Sequence, residues 1–208
     1  MVIKYQTFWR IKMKVIDVNG WRENPDLSQA PDEIKGIIIK ISEGCTIDED
    51  FDRHLENAIA QRVPIGVYCY THARDASRAS TEAATLINKL NEYGDLDLSL
   101  GIWFDIEDGN VPSDKSPFEV AEIIMGFVNT ITDYSHDIPV GIYSGYYCLT
   151  DQIDVDALPD YVRIWVANYS SRNYWDEEHP DRQCTMWQYS ESYPIGNDYY
   201  DVEEWYDE

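Results

Sequence analysis

The stretch IGVYCYTHARDASRASTEAATLINKLNEYGDLDLSLGIWFDIEDG, residues 65–109, decides the fold. It opens on one apolar run, IGVYCY (65–70), and closes on another, LGIWFDI (100–106). Neither run alternates apolar with polar, and both are rich in β-branched or aromatic residues. Strands covered on both faces read this way. Between them Ala79, Ala83, Leu86, Ile87 and Leu90 recur at helical spacing and form one apolar stripe. Strand, helix and strand in that order predict a βαβ unit and a parallel sheet.

Working outward, six more runs bring the candidate strands to eight: KVIDV (14–18), GIIIKI (36–41), PVGIYS (139–144), VRIWVAN (162–168), TMWQYS (185–190) and a weaker DYYDVEEW (198–205). DEDFDRHLENAIAQR (48–62) puts Phe51, Leu55, Ala58 and Ile59 on one side of a helix. SPFEVAEIIMGFVNTITDY (116–134) does the same with Phe118, Ala121, Met125 and Val128. Its Ser116, Pro117 and Glu119 read as an N-cap, a first-turn proline and a capping-box glutamate. The expected order is β-α-β-α-β-α-β-α-β, with helices weakening after residue 145. Eight strands in about 190 residues fall short of the roughly 250 of a regular eight-fold barrel, so a barrel that loses its last helices fits. A doubly wound open sheet is the rival, but no Gly-rich phosphate loop follows the first strand.

The length suits a single domain over residues 13–208, with residues 1–12 read as a loose extension and Met13 as a candidate start. The net charge of −23 argues against nucleic acid, whose phosphates need a basic face, and suits a neutral ligand such as a sugar. No apolar run nears the roughly 18 residues of a membrane span, and no signal peptide is recognisable. Cys45, Cys69, Cys148 and Cys184 are scattered; Cys69 and Cys184 read as small buried hydrophobes, and no disulfide is required. The four histidines lack metal-ligand spacing, so no metal is expected.

In a parallel barrel, chemistry gathers where the strands end. Reading those ends gives Asp17, Glu43, Tyr68 and Tyr70, then Asp105 and Glu107, then Tyr143, Asn168 with Tyr169, Trp187 with Gln188, and Asp201. On a strand, Asp105 and Glu107 would point to the same side with Cα atoms roughly 7 Å apart. Two acids in one space push their pKa values apart, leaving a proton donor beside an anion, the equipment for cutting a glycosidic bond. Aromatic rings suit the C–H faces of sugars, though Tyr68, Tyr143, Trp165 and Trp187 taken singly read as core. Gln188 is harder to place in a core, because a buried amide must find partners.

VIDVNG, IIIKISEG, IGVYCYTHA, IWFDIEDG, VGIYSG, RIWVANY, MWQYS and YDVEEW together resemble, in order and spacing, the family 25 glycoside hydrolases. These are lysozymes (N-acetylmuramidases) of bacteria, fungi and phages, and the resemblance covers residues 14–206. It implies an α/β fold, an incomplete TIM-like barrel of five β/α units followed by three strands. It also implies hydrolysis of the β-1,4 bond between N-acetylmuramic acid and N-acetylglucosamine in peptidoglycan, without metal or organic cofactor. By motif, Glu107 resembles the general acid and Asp105 its partner. Asp17 and Asp201 resemble the other two carboxylates, with Asp198 as the alternative to Asp201. Glu43, Tyr68, Tyr70, Tyr143, Asn168, Trp187 and Gln188 are the expected substrate-binding residues. Three departures are Asn19 for the usual serine, Ser42 for threonine, and Asp201-Val202-Glu203 for D-L-N.

Two other readings remain. One is a wall-binding module without activity, which the intact acid pair disfavours. The other is a hydrolase of a related β-1,4 glycan such as chitin, whose motif carries an aspartate where this chain has Trp103. The expected place of action is the bacterial wall, reached from outside or, as in a phage-type lysin, from the host cytoplasm. Neither membrane insertion nor an obligate protein partner is expected.

Overall fold

The computed structural model describes residues 12–20 and 23–206. The extension expected over residues 1–12 lies outside the described residues except for Lys12, which opens the first strand. The strands are β1 (Lys12–Val18), β2 (Ile34–Glu43), β3 (Thr46–Ile47), β4 (Ile65–Tyr70), β5 (Ile102–Asp105), β6 (Val140–Gly145), β7 (Arg163–Ala167), β8 (Met186–Ile195) and β9 (Asp198–Tyr206). β3 is a short antiparallel addition to the end of β2. The other eight close into a barrel in the order β1-β2-β4-β5-β6-β7-β8-β9, with β9 pairing back onto β1. Pairing is parallel from β1 round to β8, while β9 runs antiparallel to both its neighbours. This is the barrel expected from the apolar runs.

The helices are α1 (Phe51–Gln61), α2 (Ala76–Leu90), α3 (Pro117–Tyr134), α4 (Tyr146–Asp151) and α5 (Tyr174–Glu178). They follow the second to sixth barrel strands, and the last two span 6 and 5 residues, so the helical layer thins where expected. The start of the chain departs from the expected order. Between β1 and β2 the described chain makes a 3-10 turn at Leu27–Gln29 and no α-helix. That connection carries Pro25 and Pro31 and has no apolar stripe to dock on the sheet. The capping box of α3 forms as read: Ser116 accepts from the Glu119 N–H, and Glu119 accepts from the Ser116 N–H at 2.8 Å.

Alternation along the strands sorts the core into two parts. Ile37, Ile39, Val67, Phe104, Ile142 and Val166 face outward beneath the helices. Val15, Ile38, Tyr68, Leu100, Trp103, Trp165, Met186 and Trp205 face inward and fill the barrel. The inner rings meet edge to face, with centroids 5.7 Å apart for Trp103–Trp165 and 6.3 Å for Trp103–Trp205. Trp103 satisfies its indole N–H on the Leu100 carbonyl at 2.7 Å. Cys69, Cys148 and Cys184 are buried thiols, and none of the four cysteines is joined in a disulfide.

Three large indoles fit only because β6 presents Gly141 to the same interior. A Cβ there would sit 2.5 Å from both the Trp103 ring and the Arg163 carbonyl. Gly141→Ala is therefore expected to destabilise the fold by about 1–3 kcal/mol through overpacking. Denaturant melts would read this as a lower midpoint with an unchanged slope; an unaltered midpoint would refute the packing account.

Candidate active site

The inward side chains one step above the aromatic plug are polar, and they meet at the end where the parallel strands finish. Gln188 on β8 is their centre. Its amide donates to Asp17 Oδ2 of β1 at 2.8 Å and to Glu203 Oε1 of β9 at 3.2 Å. Its carbonyl accepts from the Tyr143 and Tyr169 hydroxyls, each at 2.9 Å. Both donor and both acceptor places of the amide are filled, which is how a nearly fully buried glutamine is tolerated. Asp201 lies directly across from Asp17 in the β1–β9 pairing. Asp198 stands at the tip of the β8–β9 hairpin, paired with Ile195, and is exposed.

Asp105 and Glu107 reach the same space, though not by the expected route. β5 ends at Asp105, so Glu107 sits in the turn beyond it and strand alternation does not aim it. The turn is built by Asn110. Its Oδ1 accepts from the Glu107 N–H at 2.7 Å, and its amide donates to the Thr71 carbonyl of the loop after β4 at 3.0 Å. Ser144 of β6 donates to the Ile106 carbonyl from the other side. Pinned on both flanks, the Glu107 carboxyl meets that of Asp105.

Burial dominates the electrostatics. Asp105 is only 4% exposed, and its carboxyl is held well above the usual range by desolvation, by the charge and contact of Glu107, and by Asp17. Lys40 opposes that rise. Glu107, half-buried, is also raised by desolvation, while its contact with Asp105 pulls it back. Of the two touching carboxyls, Asp105, the more deeply buried, is pushed up the further. Glu203, fully buried, is raised by desolvation and by Asp17.

The tyrosines line the same mouth. Tyr68 feels Asp17, Asp105 and Asp201, and Tyr70 feels Glu107 and Asp105. Glu43 stands on the rim, paired with Lys40 at 2.8 Å and His72 at 3.0 Å, which keep its carboxyl low. A bulge in β2 between Lys40 and Ser42 puts that acid and cation together. Two expected residues are not brought to the site. Trp187 precedes Gln188 on the strand, so it points the opposite way, into the outer core beside Tyr189. Its N–H bonds the Asn168 carbonyl at 2.8 Å, and the Asn168 side chain turns back to accept from Ser170. Sequence reading missed Glu203, Asn110 and Lys40. Glu203 was within reach, since it lies two residues from Asp201 and therefore shares its face.

A closed α/β barrel with acids and tyrosines at the strand ends is an architecture suited to a glycoside hydrolase. The chain belongs to the glycosyl hydrolases family 25, whose model matches residues 16–198 and so ends before Asp201 and Glu203. Solved structures share the fold. The modular autolysin LytC from Streptococcus pneumoniae, solved alone and in complex with a synthetic peptidoglycan ligand, superposes with TM-score 0.80 at 22% identity over 94% of this chain. This chain spans only 47% of that autolysin. A family 25 glycosyl hydrolase from Bacillus anthracis gives TM-score 0.78 at 18% identity, covering 94% of this chain and 89% of that one. A family GH25 lysozyme from Aspergillus fumigatus gives 0.70 at 20% identity, covering 95% of each chain. No curated protein matches the chain in sequence.

Three acids with raised pKa values, Asp105, Glu107 and Glu203, set the sign of the pH dependence. The folded state keeps protons that the unfolded chain releases near the ordinary carboxyl range. Their contribution to stability is then fully present below that range and is lost as pH rises toward the raised folded values. The melting temperature is expected to fall from about pH 5 to about pH 8, and less steeply in Asp105→Asn. Calorimetry showing a melting temperature that rises across that window would contradict this charge placement.

Proposed function

We propose that the chain is a muramidase that hydrolyses the β-1,4 bond between N-acetylmuramic acid and N-acetylglucosamine in peptidoglycan, acting at the bacterial wall. The observation that carries this is the meeting of the Asp105 and Glu107 carboxyls above the aromatic plug. Membership of family 25 and a fold shared with an autolysin solved with a peptidoglycan ligand support the choice of substrate. No helix among the described residues is long and apolar enough to cross a membrane.

In this reading Glu107, the more open acid, protonates the leaving oxygen as the sugar C1–O bond breaks. The charge left on Glu107 is met by the O–H of Asp105, so the acid is strongest at the moment of transfer. Asp105 Oδ1, without a partner among the described residues, is the atom free to orient the substrate acetamide. Asp17 and Asp201 supply negative charge against the positive charge developing at C1. Water completes the cleavage, and the proton it releases returns to Glu107. Tyr70 and Tyr169 offer ring faces and hydroxyls to the flanking sugars.

Mass spectrometry of the fragments released from purified peptidoglycan tests the assignment. New reducing ends on N-acetylmuramic acid are expected. Cleavage of chitin oligomers in preference to peptidoglycan, or binding to walls without new reducing ends, would refute it. Glu107→Gln should lose about 100- to 10,000-fold in lytic rate while remaining folded, and Asp105→Asn should also be severely impaired. Near-normal lysis by the Glu107 variant would remove it from the role of acid.

The charge of −23 adds a second expectation. Whole walls carrying anionic polymers repel the protein at low salt. Lysis should rise as added salt shortens the Debye length from about 30 Å to about 10 Å. A turbidity assay in which lysis falls steadily over that range would contradict it.

A further inference from the structure

Glu203 is the buried acid that this mechanism leaves without a task. It has no exposed surface, and Asp17 beside it is 6% exposed. One amide, that of Gln188, bonds both carboxyls, and the two are themselves in hydrogen-bonding contact. The charges acting on Glu203 are Asp17 from β1 and Asp201 from its own strand; β8 contributes the uncharged Gln188. Oε2 of Glu203 meets no N–H or O–H donor among the described residues, so in the acid form that oxygen is itself free to donate.

Two touching carboxylates, both out of water, do not both ionise. The geometry also says which one keeps the proton. Gln188 gives its shorter bond, 2.8 Å against 3.2 Å, to Asp17, and an N–H donor favours the ionised form of the group it reaches. Asp17 also has the residual solvent access.

We propose that Glu203 is a positioning residue that acts as a permanent hydrogen-bond donor: its carboxylic O–H holds Asp17 against Gln188 and keeps the pair at one negative charge beneath the substrate. The proton stays on Glu203 throughout, and Asp17 presents the charge. The kinetic part of this inference rests on the muramidase reading; the location of the proton does not.

Infrared spectroscopy at about pH 6, where an ordinary glutamate is ionised, reads the C=O stretch of protonated carboxyls. Glu203→Gln is expected to remove one such band while the band of Asp105 stays. Glutamine also places an N–H donor where the O–H stood. Glu203→Gln should therefore stay within about tenfold of wild-type kcat, while Glu203→Met, similar in length but without a donor, loses on the order of 100-fold with KM within about threefold. An unchanged set of protonated-carboxyl bands in Glu203→Gln, or a fall in kcat as deep as that of Glu203→Met, overturns the proposal. If Glu203→Met does not fold, the infrared comparison decides alone. A wild-type protein that shows the band but releases no reducing ends overturns the muramidase reading and leaves the proton on Glu203 standing.

Discussion

The site depends on one pairing, that of β9 with β1. Asp17 lies near one end of the sequence and Glu203 near the other, and only the antiparallel return of the last strand sets them side by side. Without it β1, held only by β2, would be an edge, and Asp17 would lie on that open edge. Gln188 reads the closure from β8: its amide spans the seam by bonding one acid on each side. The acid-lined mouth and the closed barrel are therefore products of the same ladder.

Beneath that seam the interior is as apolar as any core, and above it the chain gathers acids. The aromatic plug separates these regimes over a single step of strand alternation, from Trp103 to Asp105 on β5 and from Trp205 to Glu203 on β9. Burying so many carboxyls opposes folding at neutral pH, because each ionised group gives up water it cannot replace. The plug, the outer core and the closed ladder supply the stability that lets the acids stay. In the proposed mechanism their raised pKa values are also what makes proton donation possible in the acid range.

Much of this was legible in the sequence. Apolar runs located the barrel strands, and Ser116 with Glu119 located the start of α3. The D-x-E pair of Asp105 and Glu107 marked the mouth. What was not legible was phase. A strand buried on both faces has no polar alternate, so TMWQYS gives no sign of whether Trp187 or Gln188 turns inward. Only the closed barrel, with Met186 and Trp205 in the plug, resolves it. Glu203 was legible only through its place two residues after Asp201, because in the run DVEEWYDE it resembles the solvated acids around it. The Asn110 turn was hidden because its partner, Thr71, lies 39 residues away.

That turn ties distant parts of the molecule together. Thr71, whose carbonyl accepts from Asn110, gives its hydroxyl to the buried Glu82 of α2 at 2.6 Å, and Glu82 also takes an N–H from Arg78. A continuous chain of bonds runs from a helix on the flank, through a loop, to the backbone of Glu107. The backbone of Glu107, the proposed proton donor, is thus anchored to the outer layer of the barrel as well as to its own strand.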